Sequence, residues 1–132
     1  MYDYKCKFKR IIDGDTFELD VDLGFYISLQ VTIRLKDINT PEIYRPLNEP
    51  EEIHGNEVIR YLKNYIDSNK EYILKTEFDK SFDRWIGRIF LEDEYEIANL
   101  IKDKKLERLE DKTYKDLMYL SEEELKDHFS VL

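Results

Sequence analysis

Two short segments carry the residues of this sequence whose types and spacing could do chemistry. Asp13-Gly14-Asp15-Thr16 sets carboxylates on either side of a glycine. Arg34-Leu35-Lys36-Asp37-Ile38-Asn39-Thr40-Pro41-Glu42 joins an arginine to an amide, a threonine held before proline and a glutamate. Farther along, Gly87-Arg88 supplies a second arginine. Carboxylate, amide and carbonyl oxygens are the hard donors that Ca²⁺ takes. A guanidinium gives bidentate hydrogen bonds to phosphate oxygens, and two of them would favour a five-coordinate transition state over the ground state. Glu42, just past a strand end, could reach a water as general base. Taken singly each signal has a plainer reading. Asp-Gly-Asp is an ordinary hairpin turn, Arg34 a solvated strand residue, and Glu42 a solvated residue beyond a strand that Pro41 breaks.

The elements that would position these residues follow from periodicity. Tyr4, Cys6 and Phe8 alternate with lysines, Phe17 to Leu23 with acidic residues, and Ile27 to Leu35 with polar ones. That period of two predicts three antiparallel strands, turning at Asp13-Gly14 and at Gly24. Residues 43–54, with Pro46, Pro50 and several glutamates, read as a mobile surface loop closed by Gly55, which leaves His54 solvated. Val58, Tyr61, Leu62, Tyr65 and Ile66 then recur at helical spacing. Strand character returns at Tyr72–Phe78 and Ile86–Leu91, a second helix starts near Glu96, and Ser121 with Glu124 forms a capping box for a third, whose His128 is also solvated. The expected fold class is α+β: a five-stranded barrel of OB type with three helices, in one domain over 1–132. The barrel core runs over about 4–102 and a helical segment over 103–132.

Composition narrows the setting. The chain has 132 residues, 42% hydrophobic and 14% aromatic, which argues against disorder. No apolar run is long enough to span a bilayer, and Met1 to Lys5 lack a basic segment followed by an apolar one, so no signal peptide and no membrane partner are expected. The single cysteine, Cys6, cannot form an internal disulfide and reads as a buried core thiol. A cytoplasmic setting follows, and the style of the sequence suits a phage or other mobile element. The net charge of -9 stands against a polyanion ligand. Its acidity is concentrated in residues 92–132, whose balance is -6 against -3 for residues 1–91.

Taken together in this order and spacing, Ile12 to Thr16, Arg34-Leu35 through Thr40-Pro41-Glu42, Gly55-Asn56-Glu57 and Asp83 with Gly87-Arg88 resemble the staphylococcal nuclease family over roughly residues 4–102. The resemblance implies a Ca²⁺-dependent phosphodiesterase of OB fold that cleaves DNA and RNA. It implies metal ligands at Asp15, Asn39 and the Thr40 carbonyl, a general base at Glu42, and catalytic arginines at Arg34 and Arg88. It also implies departure of the 5′-oxygen, leaving 3′-phosphates. The expected substrate is single-stranded or frayed nucleic acid, and the expected state a monomer, although Tyr2, Tyr4, Tyr114 and Tyr119 leave room for an aromatic interface.

Two departures bear on that expectation. Position 39 is Asn where the family usually has Asp, which removes one negative charge. Asp37 would share its face if the strand ran on. The stretch Asp83-Arg84-Trp85-Ile86-Gly87-Arg88 carries one residue more than the family's usual spacing. A slip of one residue turns a strand over, so the addition must be absorbed in the turn or a bulge for Arg88 to serve. Otherwise Arg84 becomes the candidate. Trp85 could stack on a base or pack in the core. A nuclease-like binding module with weakened hydrolysis is the alternative, and an acidic decoy for a nucleic-acid-binding protein a more remote one.

Overall fold

The computed structural model describes residues 2–79 and 84–131, and of residues 2, 78, 79 and 84 the backbone alone. The period-two segments become β1 (Tyr2–Asp13), β2 (Thr16–Gly24) and β3 (Ile27–Leu35), an antiparallel meander. A long helix, α1 (Glu49–Tyr65), precedes β4 (Tyr72–Asp79) and β5 (Arg84–Glu92). The short β6 (Tyr95–Glu96) runs into α2 (Ile97–Asp103), and α3 (Asp111–Asp116) and α4 (Glu122–Phe129) follow.

The strand order is β3-β2-β1-β4-β5-β6, and pairing of β3 with β5 closes the first five into a barrel. That closing pair is parallel and short: Ile33, Arg34 and Leu35 face Trp85, Ile86 and Gly87. A Cβ on Gly87 would stand 2.9 Å from Leu74 Cδ1 and 3.0 Å from Ile33 Cγ2, so its absence lets the barrel shut. Closure also needs β1 to bend. Its register against β2 shifts between Phe8 and Arg10 and between Ile11 and Asp13, and such bulges curve a strand. Its first half can then pair with β4 while β2 follows it to the turn. The expected α+β class with a five-stranded barrel is what forms, with β6 and α3 in addition.

Inward residues of every barrel strand make the main core, with Phe17, Leu19, Ile33, Leu74 and Ile89 essentially inaccessible. Phe8 packs edge-on against Phe17 and Tyr72, and Val58 and Leu62 of α1 join the same cluster. Cys6 is buried among them as expected, and burial pushes its thiol up to about 12. The capping box of α4 is present. Among the described residues no helix is long and apolar enough to cross a membrane.

The expected loop over 43–54 is corrected by α1, which begins at Glu49. Asn48 is its N-cap and accepts the Glu51 N–H at 3.1 Å, while Pro50 sits in the first turn, where a missing N–H costs nothing. His54 is therefore not solvated; it is 4% exposed, beneath the C-terminal helices. Its ring stacks on Phe129 at 4.2 Å, and its Nδ1 lies 2.8 Å from the Tyr114 hydroxyl. That hydroxyl also accepts the Leu109 N–H at 3.0 Å, so it links the imidazole to the backbone before α3. Tyr114 is fully buried, which removes it from any aromatic interface.

Burial, opposed by Glu51 and reinforced by His128, lowers His54 from its ordinary value to about 4. The unfolded chain then binds a proton that the folded chain refuses, so stability is complete above pH 6.5 and falls as pH drops toward 4. The loss amounts to at most about 3 kcal/mol. Asp13, raised to about 7, contributes a slope of opposite sign in this window, so the His54 effect is read as a difference: in urea unfolding at a series of pH values, stability should rise more with pH in the wild type than in His54→Gln. Equal slopes would rule out the assignment.

Candidate active site

The turn between β1 and β2 packs directly beneath the segment that leaves β3. A Cβ on Gly14 would meet Thr40 Oγ1 at 2.7 Å and both Thr40 Cβ and Val58 Cγ1 at 2.8 Å. Glycine is needed at this point for close approach of turn, loop and α1. Beside it Asp15 is buried, its Oδ2 accepting the Thr40 N–H at 2.8 Å and its Oδ1 the Thr16 hydroxyl at 3.1 Å. Asp13 Oδ1 accepts the Asp15 N–H at 3.1 Å. Burial and the neighbouring Asp15 carboxylate raise Asp13 to about 7.

Arg34 holds the loop that follows its own strand. Nη1 donates to the carbonyls of Leu35 at 2.9 Å and Ile38 at 2.5 Å. Nη2 donates to Asn39 Oδ1 at 2.6 Å and lies 3.4 Å from Asp15 Oδ2. Glu42 is exposed, and its N–H donates to Glu51 Oε2 at 3.0 Å. Asp15, Arg34, Asn39 and Glu42 all line one cavity of about 620 Å³, with Asp13, Lys36, Asp37 and Glu77 among its other walls. Lys36 and Glu77 form an ion pair at 2.9 Å across it. Thr40 is buried below the cavity, its Oγ1 without a partner among the described residues. Asp37 reaches the wall from a turn at φ +58°, not from a continued strand, because β3 ends at Leu35.

The second arginine is not gathered with the others. The β4–β5 ladder runs without a register shift from Arg84 to Phe90, so residues 84, 86 and 88 share one face. Ile86 lines the cavity, which puts Arg88 on the appropriate side but one step beyond. Its guanidinium is bound through Nε and Nη2 to the Glu96 carboxylate. Arg84 begins β5, but its side chain lies outside the described residues, as does Asp83. Trp85 faces the other way and lines a separate apolar hollow of about 380 Å³ with Leu23, Leu29 and Val31.

The donors around the cavity suit a cation in kind more than in number. Among the described residues no three His, Cys, Asp or Glu side chains come together as a metal cluster. The donors present are hard nonetheless: a crowded pair of carboxylates, Asp13 and Asp15, and the Asn39 amide oxygen. Asp13 is raised first by burial and then by its Asp15 neighbour. The set fits Ca²⁺ in chemistry, with Arg34 at present on two of its oxygens. Sequence reasoning overlooks Glu51 and Arg108, which anchor the loop from below; the Asn48–Pro50 helix start is the available signal for the first, and nothing local marks the second. No family model matches the chain, and no curated protein matches it either.

Gly14→Ala should push Thr40 and α1 apart, lowering stability by about 1–3 kcal/mol as overpacking does. Thermal unfolding checks this, and Val58→Ala in the same chain should recover part of the loss by clearing the nearest methyl. An unchanged melting temperature would contradict the packing argument.

Proposed function

We propose that this chain is a staphylococcal nuclease-like, Ca²⁺-dependent phosphodiesterase that hydrolyses DNA, RNA or both. The observation that carries the reading is the convergence of Asp15, from the β1–β2 turn, with Arg34, Asn39 and Glu42, from the end of β3 and the loop after it, on one open cavity. Asp15, Asn39 and the Thr40 carbonyl would hold the ion, which when bound offsets phosphate charge and lets an anionic substrate approach acidic walls. Glu42, exposed at the rim, takes a proton from the attacking water. Arg34 presents its planar face of donors to the non-bridging oxygens, where charge grows as phosphorus becomes five-coordinate. Water attacks phosphorus, the 5′-oxygen leaves, and a 3′-phosphate remains. Arg88 is the second guanidinium of this reading and must leave Glu96 to act. Attack on a phosphodiester requires no base readout, which suits single-stranded or frayed substrates.

The same geometry gives specific grounds for a second reading, a nuclease-like module with weakened hydrolysis. Arg34 lies on the oxygens of Asn39 and Asp15, and Arg88 is bound elsewhere. Degradation of labelled single-stranded DNA and RNA, with Ca²⁺ against chelator, separates the two. Metal-stimulated cleavage is expected, and its absence up to several millimolar Ca²⁺ would leave the binding module. Within the first reading, Glu42→Gln should lower turnover by about 10²–10⁴-fold. Arg34→Lys, which keeps the charge without the fork, should lower it by about 10²-fold or more. Circular dichroism should show both variants folded; full turnover in both would defeat the roles of base and phosphate clamp.

A further inference from the structure

Below the cavity a carboxylate is buried that the proposed chemistry does not use. Glu51, in the first turn of α1, is 1% exposed. Its Oε2 accepts the Glu42 N–H at 3.0 Å, and its Oε1 accepts the Leu47 N–H at 2.7 Å. Arg108 closes on the same group, Nε at 2.5 Å from Oε2 and Nη2 at 3.3 Å from Oε1. The Arg108 N–H donates in turn to the Asn39 carbonyl at 2.9 Å. Arg108 is steadied by Asp111 at 2.8 Å and by the Leu109 carbonyl at 3.3 Å.

We propose that Glu51, locked by Arg108, is the positioning residue that fixes the main chain presenting Glu42 and Asn39 to the cavity. The activity expected of it rests on the phosphodiesterase reading; its geometry does not. A buried ion pair needs hydrogen bonds to its remaining lone pairs as well as opposite charges, and the groups that supply those bonds are the ones it positions. This one commits both carboxylate oxygens to loop amides as well, which only an acceptor at position 51 can satisfy. Removing it would leave the part-buried Glu42 and Leu47 N–H groups without their acceptor, and such orphaned donors move to find others. The carboxylate is held ionised: burial pushes it up, but Arg108 and the two amides outweigh that and lower it. Glu42 would then sample positions outside reach of the water, so the loss falls on turnover more than on substrate binding.

Glu51→Gln is the first test, read by kcat, KM and amide hydrogen exchange. Turnover should fall on the order of 10–100-fold, the usual effect of removing a supporting partner, with KM within a few-fold. Exchange should quicken at Glu42 and Leu47. Ile89→Ala, a barrel-core deletion that removes none of the loop's hydrogen bonds, serves as the control for lost stability and should keep near-normal kcat in its folded fraction. The charge reversal Glu51→Arg with Arg108→Glu restores an ion pair but supplies no acceptor at 51, so it should not restore turnover. Rescue by the reversal, or Glu51→Gln no slower than Ile89→Ala, would overturn the proposal. Should the reversal not fold, the comparison of Glu51→Gln with Ile89→Ala decides. If the wild type cleaves nothing, the nuclease reading fails by itself, and unchanged exchange at Glu42 and Leu47 in Glu51→Gln would still overturn the positioning role.

Discussion

The site depends on one constraint: the chain between Leu35 and Asn48 leaves the barrel with neither strand nor helix, so other groups must bond its backbone. Buried main-chain amides and carbonyls do not go unpaired without cost. In this loop side chains do the pairing. Arg34 takes the carbonyls of Leu35 and Ile38, Asp15 the amide of Thr40, and Glu51 the amides of Glu42 and Leu47. A backbone amide, that of Arg108, takes the Asn39 carbonyl. These donors and acceptors come from the barrel, from α1 and from the C-terminal segment, so the loop holds its shape only when all three are assembled together.

The same pairing explains how an acidic chain could handle a phosphate. Several of its cations are engaged in pairs: Arg10 with Glu18, Lys36 with Glu77, Arg60 with Glu57, Arg88 with Glu96 and Arg108 with Glu51. Long-range attraction is cancelled at the surface by this pairing and by the charge of -9. Under the proposed function, recognition would then be local, where a fixed guanidinium and hard oxygens would meet the substrate at contact distance. Most of these pairs are exposed, and pairs of that kind contribute little to stability. Glu51 and Arg108 differ because the carboxylate is buried and fully hydrogen-bonded. Losing either partner there would leave an uncompensated charge.

How much of the molecule is legible in the sequence follows from the range of each interaction. Strict alternation from Tyr4 to Leu35 announces β1 to β3, because side-chain period is a local property of a strand. Ser121 and Glu124 announce α4 for the same reason: both halves of a capping box lie within one turn. The start of α1 escapes although Asn48 and Pro50 are sound N-terminal signals, since three prolines and an acidic run resemble a loop equally well. His54 looks solvated because its partners, Tyr114 and Phe129, come from a distant segment. Arg108 meets Glu51 across a separation of 57 residues, and no local pattern encodes that. The site motifs are readable as a set, yet the place of the Arg88 guanidinium is not, because it turns on Glu96, a partner in the next strand.

Position 39 shows how these constraints bear on one another. Arg34 Nη2 lies 2.6 Å from the Asn39 amide oxygen and 3.4 Å from Asp15 Oδ2, so one cation serves two oxygens that a metal ion would also want. A carboxylate at 39 would hold the guanidinium more firmly than the neutral amide does, and in the proposed hydrolase it would also attract Ca²⁺ more strongly. With asparagine both attractions would weaken together. The proposed ion would lose a charged ligand, but the arginine would also be easier to release toward a phosphate. Under the proposed function the anionic character of the site would therefore rest more on the β1–β2 turn than on the loop, and Gly14 lets that turn approach Thr40, whose N–H bonds Asp15.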